Sequence, residues 1–480
     1  MSDLDRKLVR ASAWLALSYG GNQIVTFVVA AIVAHFVAPV AFGLVALASV
    51  AVVALTTLQE SGLGLALIQR RSDVEAAAGT VFVFTTTAAA AMYAVAFAAA
   101  PLLARVFSQP RLTDVLRVLA LTLVIRGVAL VPGAMIEREL AFASRAKGEL
   151  AGAIVQAIVA VPLAIGGLGV WSLVAGQLAA QAVQSATFWV VTPLRPSPRL
   201  FEFGLLRELS RFGRHVTAAN IVYFIDTNLD TATVGRLLGA ANVGFYNLAW
   251  RLSNLPATGI GYIVGRVMFP AYSTLQDDKA AFRAAFLSNV RRVALVSLPV
   301  GLGILLAAHQ IVVGIFGDRW EPAVGPLQIL AVFGLIRAFS GTTAPALQAA
   351  GKPQLIFLLN VVHLAALCAA LLALTPPFKL AGAASAVVIA AVASFIPAYW
   401  FALRVLELPL RQVIANVRRP VLCSVPLVIT LLVARAATAA LPSAIQLLVL
   451  VVCGSTIYGG SVFVGARDEL RAITAAFRSP

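Results

Sequence analysis

The chain has 480 residues, of which 60% are hydrophobic and only 12% charged, with a mean hydropathy of +0.93. A soluble chain of this length carries about twice that charged fraction, so a soluble globular enzyme is excluded and a polytopic membrane protein is implied. The net charge of +16 is spread over short segments between apolar runs. No folded basic domain is visible that would bind nucleic acid.

Met1–Arg10 leads into an apolar stretch too long for a signal-peptide core and without a clear cleavage site, so a retained N-terminus is expected. A hydrocarbon core of about 30 Å takes about 20 apolar residues per helix. On that ruler about 14 spans follow in order, at 13–36, 42–66, 78–103, 114–136, 148–167, 170–192, 214–236, 243–268, 291–316, 323–348, 354–375, 380–403, 419–436 and 442–465. Prolines inside spans, such as Pro132, Pro162 and Pro299, are tolerable where neighbouring helices satisfy the freed backbone groups. Cys368, Cys423 and Cys453 sit in apolar runs without pairwise spacing and read as small buried hydrophobes, not as disulfides or metal ligands.

With the N-terminus in the cytoplasm, this layout places 25 of the 36 Lys and Arg residues on the cytoplasmic side and seven on the opposite side. That bias is the positive-inside pattern and predicts cytoplasmic N- and C-termini. The chain also repeats itself. A shift of 201 residues lays Leu4, Arg6, Leu8 and Arg10 on Leu205, Arg207, Leu209 and Arg211, and Ala31, Val33, Gly43 and Leu47 on Ala232, Val234, Gly244 and Leu248. Both halves start on the cytoplasmic side, which makes them parallel repeats about an axis along the membrane normal. The expected fold is an all-α polytopic membrane protein with two six-helix lobes and a C-terminal helix pair. The expected boundaries are an N-lobe at 1–195, a cytoplasmic linker and amphipathic arm at 196–213, a C-lobe at 214–405, and the final spans and tail at 406–480. The linker begins in the proline-rich junction Thr192–Pro198, and the basic arms Leu4–Arg10 and Leu205–Arg211 suit the interface.

Several local patterns point to a family. Glu60 to Gly64 (ESGLG) precedes Ala66 to Gln69 (ALIQ). Asp230 to Gly239 (DTATVGRLLG) runs into Val243 to Leu252 (VGFYNLAWRL), and Phe316 to Pro322 (FGDRWEP) precedes Leu327 to Leu330 (LQIL). In this order and spacing they resemble the Wzx-type, WzxC-like polysaccharide transporters of the multidrug/oligosaccharidyl-lipid/polysaccharide (MOP) superfamily. The resemblance covers nearly the whole chain and is weakest after residue 405. It implies a flippase of the bacterial inner membrane that moves undecaprenyl-pyrophosphate-linked oligosaccharide from the cytoplasmic to the periplasmic leaflet. Exopolysaccharide, capsule or O-antigen assembly would use the product. The implied partners are this lipid-linked oligosaccharide, membrane lipids, a proton or sodium ion, and polysaccharide polymerase and export machinery. No G-x-x-x-x-G-K-[S/T] loop is present, so no nucleotide cofactor is expected, and an ion gradient is the energy source by analogy.

Four arginines lie within spans: Arg126, Arg251, Arg266 and Arg337. A charge at bilayer depth costs at least about 2.5 kcal/mol and must face a cavity or a partner. One reading is a cationic cavity for pyrophosphate and acidic sugars, since the guanidinium fork matches phosphate oxygens in pairs. The other is ion pairing between helices or snorkelling. Asp226 and Asp230 are four residues apart and share a helix face. They are candidates for proton coupling, for sodium binding with Asn228 or Asn360, or for a structural pair with Arg251. In the related lipid II flippases a span-seven carboxylate works with span eleven, where this chain offers Asn360 and His363 and no carboxylate. Glu60 is a candidate partner for an intramembrane arginine, and His363 a candidate proton relay. Tyr19, Tyr223 and Tyr246 are candidate sugar-stacking rings. Asn22, Gln23, Asn220 and Asn247 suit either sugar hydroxyls or neighbouring helices. No metal cluster is expected. A membrane polymerase or ligase would need a sizeable outer loop, and every outer loop here is short. A drug exporter of the same superfamily would favour an acidic cleft.

Overall fold

The computed structural model describes residues 3–60, 62–257 and 268–465, and side chains from Gly20 onward apart from Phe212, Arg214 and His215. The described residues are helical, with no β-strand among them. The chain forms two compact units, 1–244 and 245–480. The first holds α1 (Asp3–Phe36), α2 (Pro39–Glu60), α3 (Leu63–Gln69), α4 (Val74–Val106), α5 (Leu112–Leu119), α6 (Leu121–Arg138), α7 (Phe142–Ile165), α8 (Val170–Val191) and α9 (Phe203–Leu238). It also includes the start of α10 (Ala240–Ser253). The second holds the remainder of α10, α11 (Lys279–Leu306), α12 (Ala308–Phe316), α13 (Val324–Ala349), α14 (Pro353–Val405), α15 (Leu410–Ala437) and α16 (Ser443–Gly465).

Nine helical stretches among the described residues are long and apolar enough to cross a membrane. One of them, α14, carries the two expected spans 354–375 and 380–403, joined where Lys379 turns the backbone to φ 52° and ψ −129°. The expected spans 170–192 and 214–236 also lie in continuous helices, α8 and α9. Neither is among the nine: α8 carries Gln177, Gln181 and Gln184, and α9 carries Asn220, Asp226, Asn228 and Asp230 within the expected span. Span two is interrupted. Gly62 takes φ +66°, and a Cβ there would approach the Gly213 Cα to 2.8 Å, so the break seats α3 against α9. The outer faces of both units are apolar, with Val190 80% and Leu372 74% exposed, which suits hydrocarbon rather than water.

The interiors follow from small residues on facing helices. In the first unit α7 packs on α1 and α8, and α6 packs on α4 and α8. Leu63, Leu67, Val81, Val131 and Met135 form one core, with Leu209 of α9 closing it. In the second unit α13 packs on α11 and α14, while Tyr272, Phe286, Leu347 and Leu406 form the core beside them.

The 201-residue repeat is visible in helix boundaries. Helices α1 and α2 meet across Val37 and Ala38, and α9 and α10 meet across Gly239, so Pro39 and its counterpart Ala240 each open a helix. The two copies of this corner touch reciprocally. A Cβ on Gly43 would overlap the carbonyl of Ala240, and a Cβ on Gly244 would overlap the carbonyl of Pro39. The partners are exchanged under the same shift, as at a two-fold axis. Next to it, Gly235 of α9 leaves room for the Leu47 and Phe107 side chains.

A second joint lies outside the spans, between α14 and α15. Glu407, at φ 50°, accepts from Lys279 Nζ at 2.7 Å and from Arg283 Nη2 at 2.6 Å. Arg283 Nε also donates to the Leu406 carbonyl at 2.6 Å. The hydrogen bond and charge of Lys279 hold the Glu407 carboxyl below its ordinary range, with Arg283 adding to the effect.

Gly43→Ala is expected to cost about 1–3 kcal/mol through overpacking against rigid backbone, read as a lower thermal midpoint of the detergent-solubilised protein. Gly303→Ala is the control: a Cβ there meets nothing within 4 Å, and the midpoint should hold or rise. At Glu407 the folded pKa is depressed, so the joint contributes fully above the ordinary glutamate value of about 4.3 and is lost as pH falls through the lower folded value. Glu407→Gln should therefore flatten the fall of the thermal midpoint below about pH 4.3.

Candidate substrate pocket

Inside the first unit a polar cavity of about 460 Å³ opens between α2, α3, α6, α7, α8 and α9. Its placement starts from one amide. Gln59, 2% exposed near the end of α2, donates through Nε2 to the Leu123 carbonyl of α6 at 3.2 Å. Gly127 lets α6 come that close, since a Cβ there would lie 2.8 Å from Gln59 Nε2 and 3.0 Å from the Thr85 carbonyl. Thr85 Oγ1 in turn donates to the Gly127 carbonyl at 3.3 Å. With α2 pinned, the next residues face each other, and Arg126 Nη2 donates to Glu60 Oε1 at 3.1 Å. Both side chains stay accessible from the cavity, 42% and 43% exposed.

The far end of the cavity repeats this chemistry. Arg145 of α7 pairs with Glu137 of α6, and its Nε donates to Glu149 Oε1 at 2.9 Å. Along α6, Arg126 lies about 18 Å from Arg138 by helical rise, so the cavity runs from mid-span to the helix end. Its floor is α3, whose last carbonyls at Leu67 and Ile68 accept from Arg138 Nη1 at 3.1 and 3.4 Å. One wall is α8, where Gln181 Nε2 donates to Gln184 Oε1 at 3.2 Å. The Phe188 ring is seated there by Gly133 and Gly148, whose Cβ atoms would meet it at 3.6 and 2.8 Å. Asn220 of α9 completes the lining.

The structure thus brings Glu60, Arg126 and Asn220 together. It adds Glu137, Arg145, Gln181, Gln184 and Phe188, which sequence reasoning did not single out as a site. The available signal was Gln177, Gln181 and Gln184 at helical spacing in an otherwise apolar span.

The other expected residues among those described are not in the lining of this cavity. Arg337 of α13 donates from Nη1 to Asn254 Oδ1 at 2.9 Å, and its guanidinium stands 5.8 Å from the Trp250 ring centroid and 5.9 Å from that of Phe333. Arg251 is exposed on α10, and Arg266 lies outside the described residues. Asp226 is half-buried on α9, while Asp230 is 4% exposed and accepts the Thr231 amide at 2.6 Å. Asn360 is exposed on α14. His363, on the same helix, sets Nδ1 3.1 Å from the Ala390 carbonyl and 3.2 Å from Ser394 Oγ across the Lys379 turn. Tyr246 is fully buried and offers no ring face to a ligand, whereas Tyr223 is 62% exposed.

Because Glu60 and Arg126 are both accessible, Glu60→Gln and Arg126→Gln should each change stability by no more than about 1 kcal/mol. Gly127→Ala should cost more, about 1–3 kcal/mol. Thermal midpoints of the three solubilised variants check the order.

Residues 32–325 match the family model described as polysaccharide biosynthesis protein. Among curated proteins, the chain is 24% identical over 365 residues to the teichuronic acid biosynthesis protein TuaB of Bacillus subtilis, covering 76% of this chain and 75% of that one. It is 27% identical over 327 residues to the lipopolysaccharide biosynthesis protein WzxC of Escherichia coli, covering 67% and 65%. It is also 27% identical over 354 residues to the succinoglycan biosynthesis transport protein ExoT of Rhizobium meliloti, covering 73% and 71%. In fold it matches the lipid II flippase MurJ in an inward closed conformation, with a TM-score of 0.74 over 96% of this chain and 100% of that one at 13% identity. An inward-facing multidrug resistance MATE family transporter of the MOP superfamily matches with a TM-score of 0.63 over 80% and 94% at 17% identity. The family match spans more than half of the chain, and the expected all-helical polytopic class is the fold found: this all-helical, multi-pass membrane protein belongs to the polysaccharide biosynthesis protein family.

Proposed function

We propose that the chain is a flippase that carries undecaprenyl-pyrophosphate-linked oligosaccharide repeat units from the cytoplasmic to the periplasmic leaflet. The observation that carries the reading is the polar cavity, with paired charges reaching mid-span, inside a protein whose relatives are named for polysaccharide biosynthesis and transport. A membrane-embedded protein gains nothing in stability from such a cavity, since charge at bilayer depth is costly unless it serves a path. The oligosaccharide of the lipid-linked unit enters at the Glu137 and Arg145 end and advances toward Glu60 and Arg126. The bias of basic residues supports an inner-membrane protein with both termini cytoplasmic. The lobes are 1–195 and 214–405, with the arm 196–213 between them and the helix pair 406–480 outside the duplication.

Transport requires no bond-making step in this reading, so the protein is a transporter and not an enzyme. Asp226 and Asp230 are the candidates for coupling to a proton or sodium gradient, with Asn360 and His363 as the further candidates on α14. Polymerase and export proteins would act on the delivered unit.

Deleting the gene and measuring lipid-linked glycans in inner-membrane vesicles, with leaflet-resolved labelling, tests the reading. Complete repeat units should accumulate on the cytoplasmic face. Complete but unpolymerised units on the periplasmic face would point to an enzyme, and an unchanged pool to an exporter of another substrate. Arg126→Gln should lower the periplasmic fraction about tenfold or more, the effect of removing roughly 1.4 kcal/mol of interaction, with the amount of folded protein unchanged.

A further inference from the structure

We infer that the cavity takes uncharged pyranose residues of the oligosaccharide, and that the diphosphate binds elsewhere. This deepens the proposed function and rests on it. The charge balance of the cavity decides between the two ends of the substrate. Two guanidinium groups, of Arg126 and Arg145, face it together with two carboxylates, of Glu60 and Glu137, so its lining has no net charge. Each guanidinium is already engaged, Arg126 with Glu60 at 3.1 Å and Arg145 with Glu137 and Glu149. A diphosphate would have to compete with a carboxylate for each guanidinium and would lie beside Glu60 or Glu137, whose like charge opposes it. A hexuronate carboxylate meets the same objection.

Sugar hydroxyls meet no such objection. Each hydroxyl both donates and accepts, and the cavity supplies both functions without changing any charge. Glu60 and Glu137 accept, while the accessible edges of Arg126 and Arg145 donate. The amide pair Gln181–Gln184 keeps the Gln181 carbonyl and the Gln184 amino group for a ligand, and Asn220 adds a third amide. The Phe188 ring, seated by Gly133 and Gly148, presents an apolar surface for the C–H face of a pyranose. A volume of about 460 Å³ falls within the range of about 300–1,000 Å³ usual for small-molecule sites. The contrast with Arg337 is direct, because its charge faces the Asn254 amide and two aromatic rings. Arg337 is therefore a better candidate than Arg126 for the diphosphate.

The test uses the full chain in lipid nanodiscs and saturation-transfer NMR with three probes: an uncharged hexose trisaccharide, a hexuronate trisaccharide and inorganic pyrophosphate. Transfer should be strong to the ring protons of the uncharged trisaccharide, weak to the hexuronate, and unaffected by added pyrophosphate. Gln184→Leu and Phe188→Leu should each lower it roughly fivefold, the loss of about one hydrogen bond or one apolar contact, while Gln177→Leu, outside the lining, should not. Displacement of the sugar by pyrophosphate would overturn the inference on the unaltered protein, whatever the variants do. Preference for the hexuronate, or undiminished transfer in folded Gln184→Leu and Phe188→Leu, would overturn it too. The leaflet assay reads the flippase separately: an unchanged glycolipid pool with intact sugar transfer sinks that reading alone, and pyrophosphate displacement with glycolipid accumulation sinks this one alone.

Discussion

A charge held in hydrocarbon must be matched, and the interior of the first unit is arranged around that requirement at Glu60 and Arg126. The match is indirect in origin. It depends on Gln59 fastening α2 to α6, which depends in turn on Gly127 having no side chain where Thr85 and Gln59 converge. From this fastening follow the direction in which Glu60 points, the opening between α3 and α8, and the polar path toward Arg145. The pair is accessible on both sides, so it holds the helices together weakly and leaves its remaining lone pairs and N–H groups for a ligand.

The duplication supplies the second organising element. Close backbone contact at Gly43 and Gly244 buries no charge and gains little from hydrophobicity in a lipid environment, where packing and weak polar contacts drive association. Its value lies in geometry: two helix starts meet in direct backbone contact. Polar path and glycine crossing both lie on α2, one at each end, so that helix links the cavity to the crossing.

Much of the fold was legible in the sequence because lipid leaves few choices. Apolar runs of span length, the bias of basic residues and the 201-residue echo all report constraints that act locally or along the whole chain. The break at Gly62 was not legible, since glycine is common inside spans and only the folded chain shows its positive φ and the approach of Gly213. The site was legible in part. Glu60 stands out as a carboxylate in need of a cation, but Arg126 is 66 residues away and only the packing of α2 on α6 selects it. Arg145 reads as an orientation charge until α7 turns it onto Glu137. Gln181 and Gln184 are diluted by the apolar residues around them, although their spacing with Gln177 marks one helix face.

The exchanged contact of Gly43 with Ala240 and Gly244 with Pro39 has the form of an isologous interface, in which one patch meets its own copy. In a symmetric dimer built on such a corner a single glycine position would serve both sides, and one substitution would spoil the contact twice. With both copies in one chain the two glycines are separate positions, so a substitution at either alters one side of the contact and leaves the other as it is. The residues flanking the crossing differ between the copies, Pro39 against Ala240 and Phe42 against Val243, while the glycines coincide.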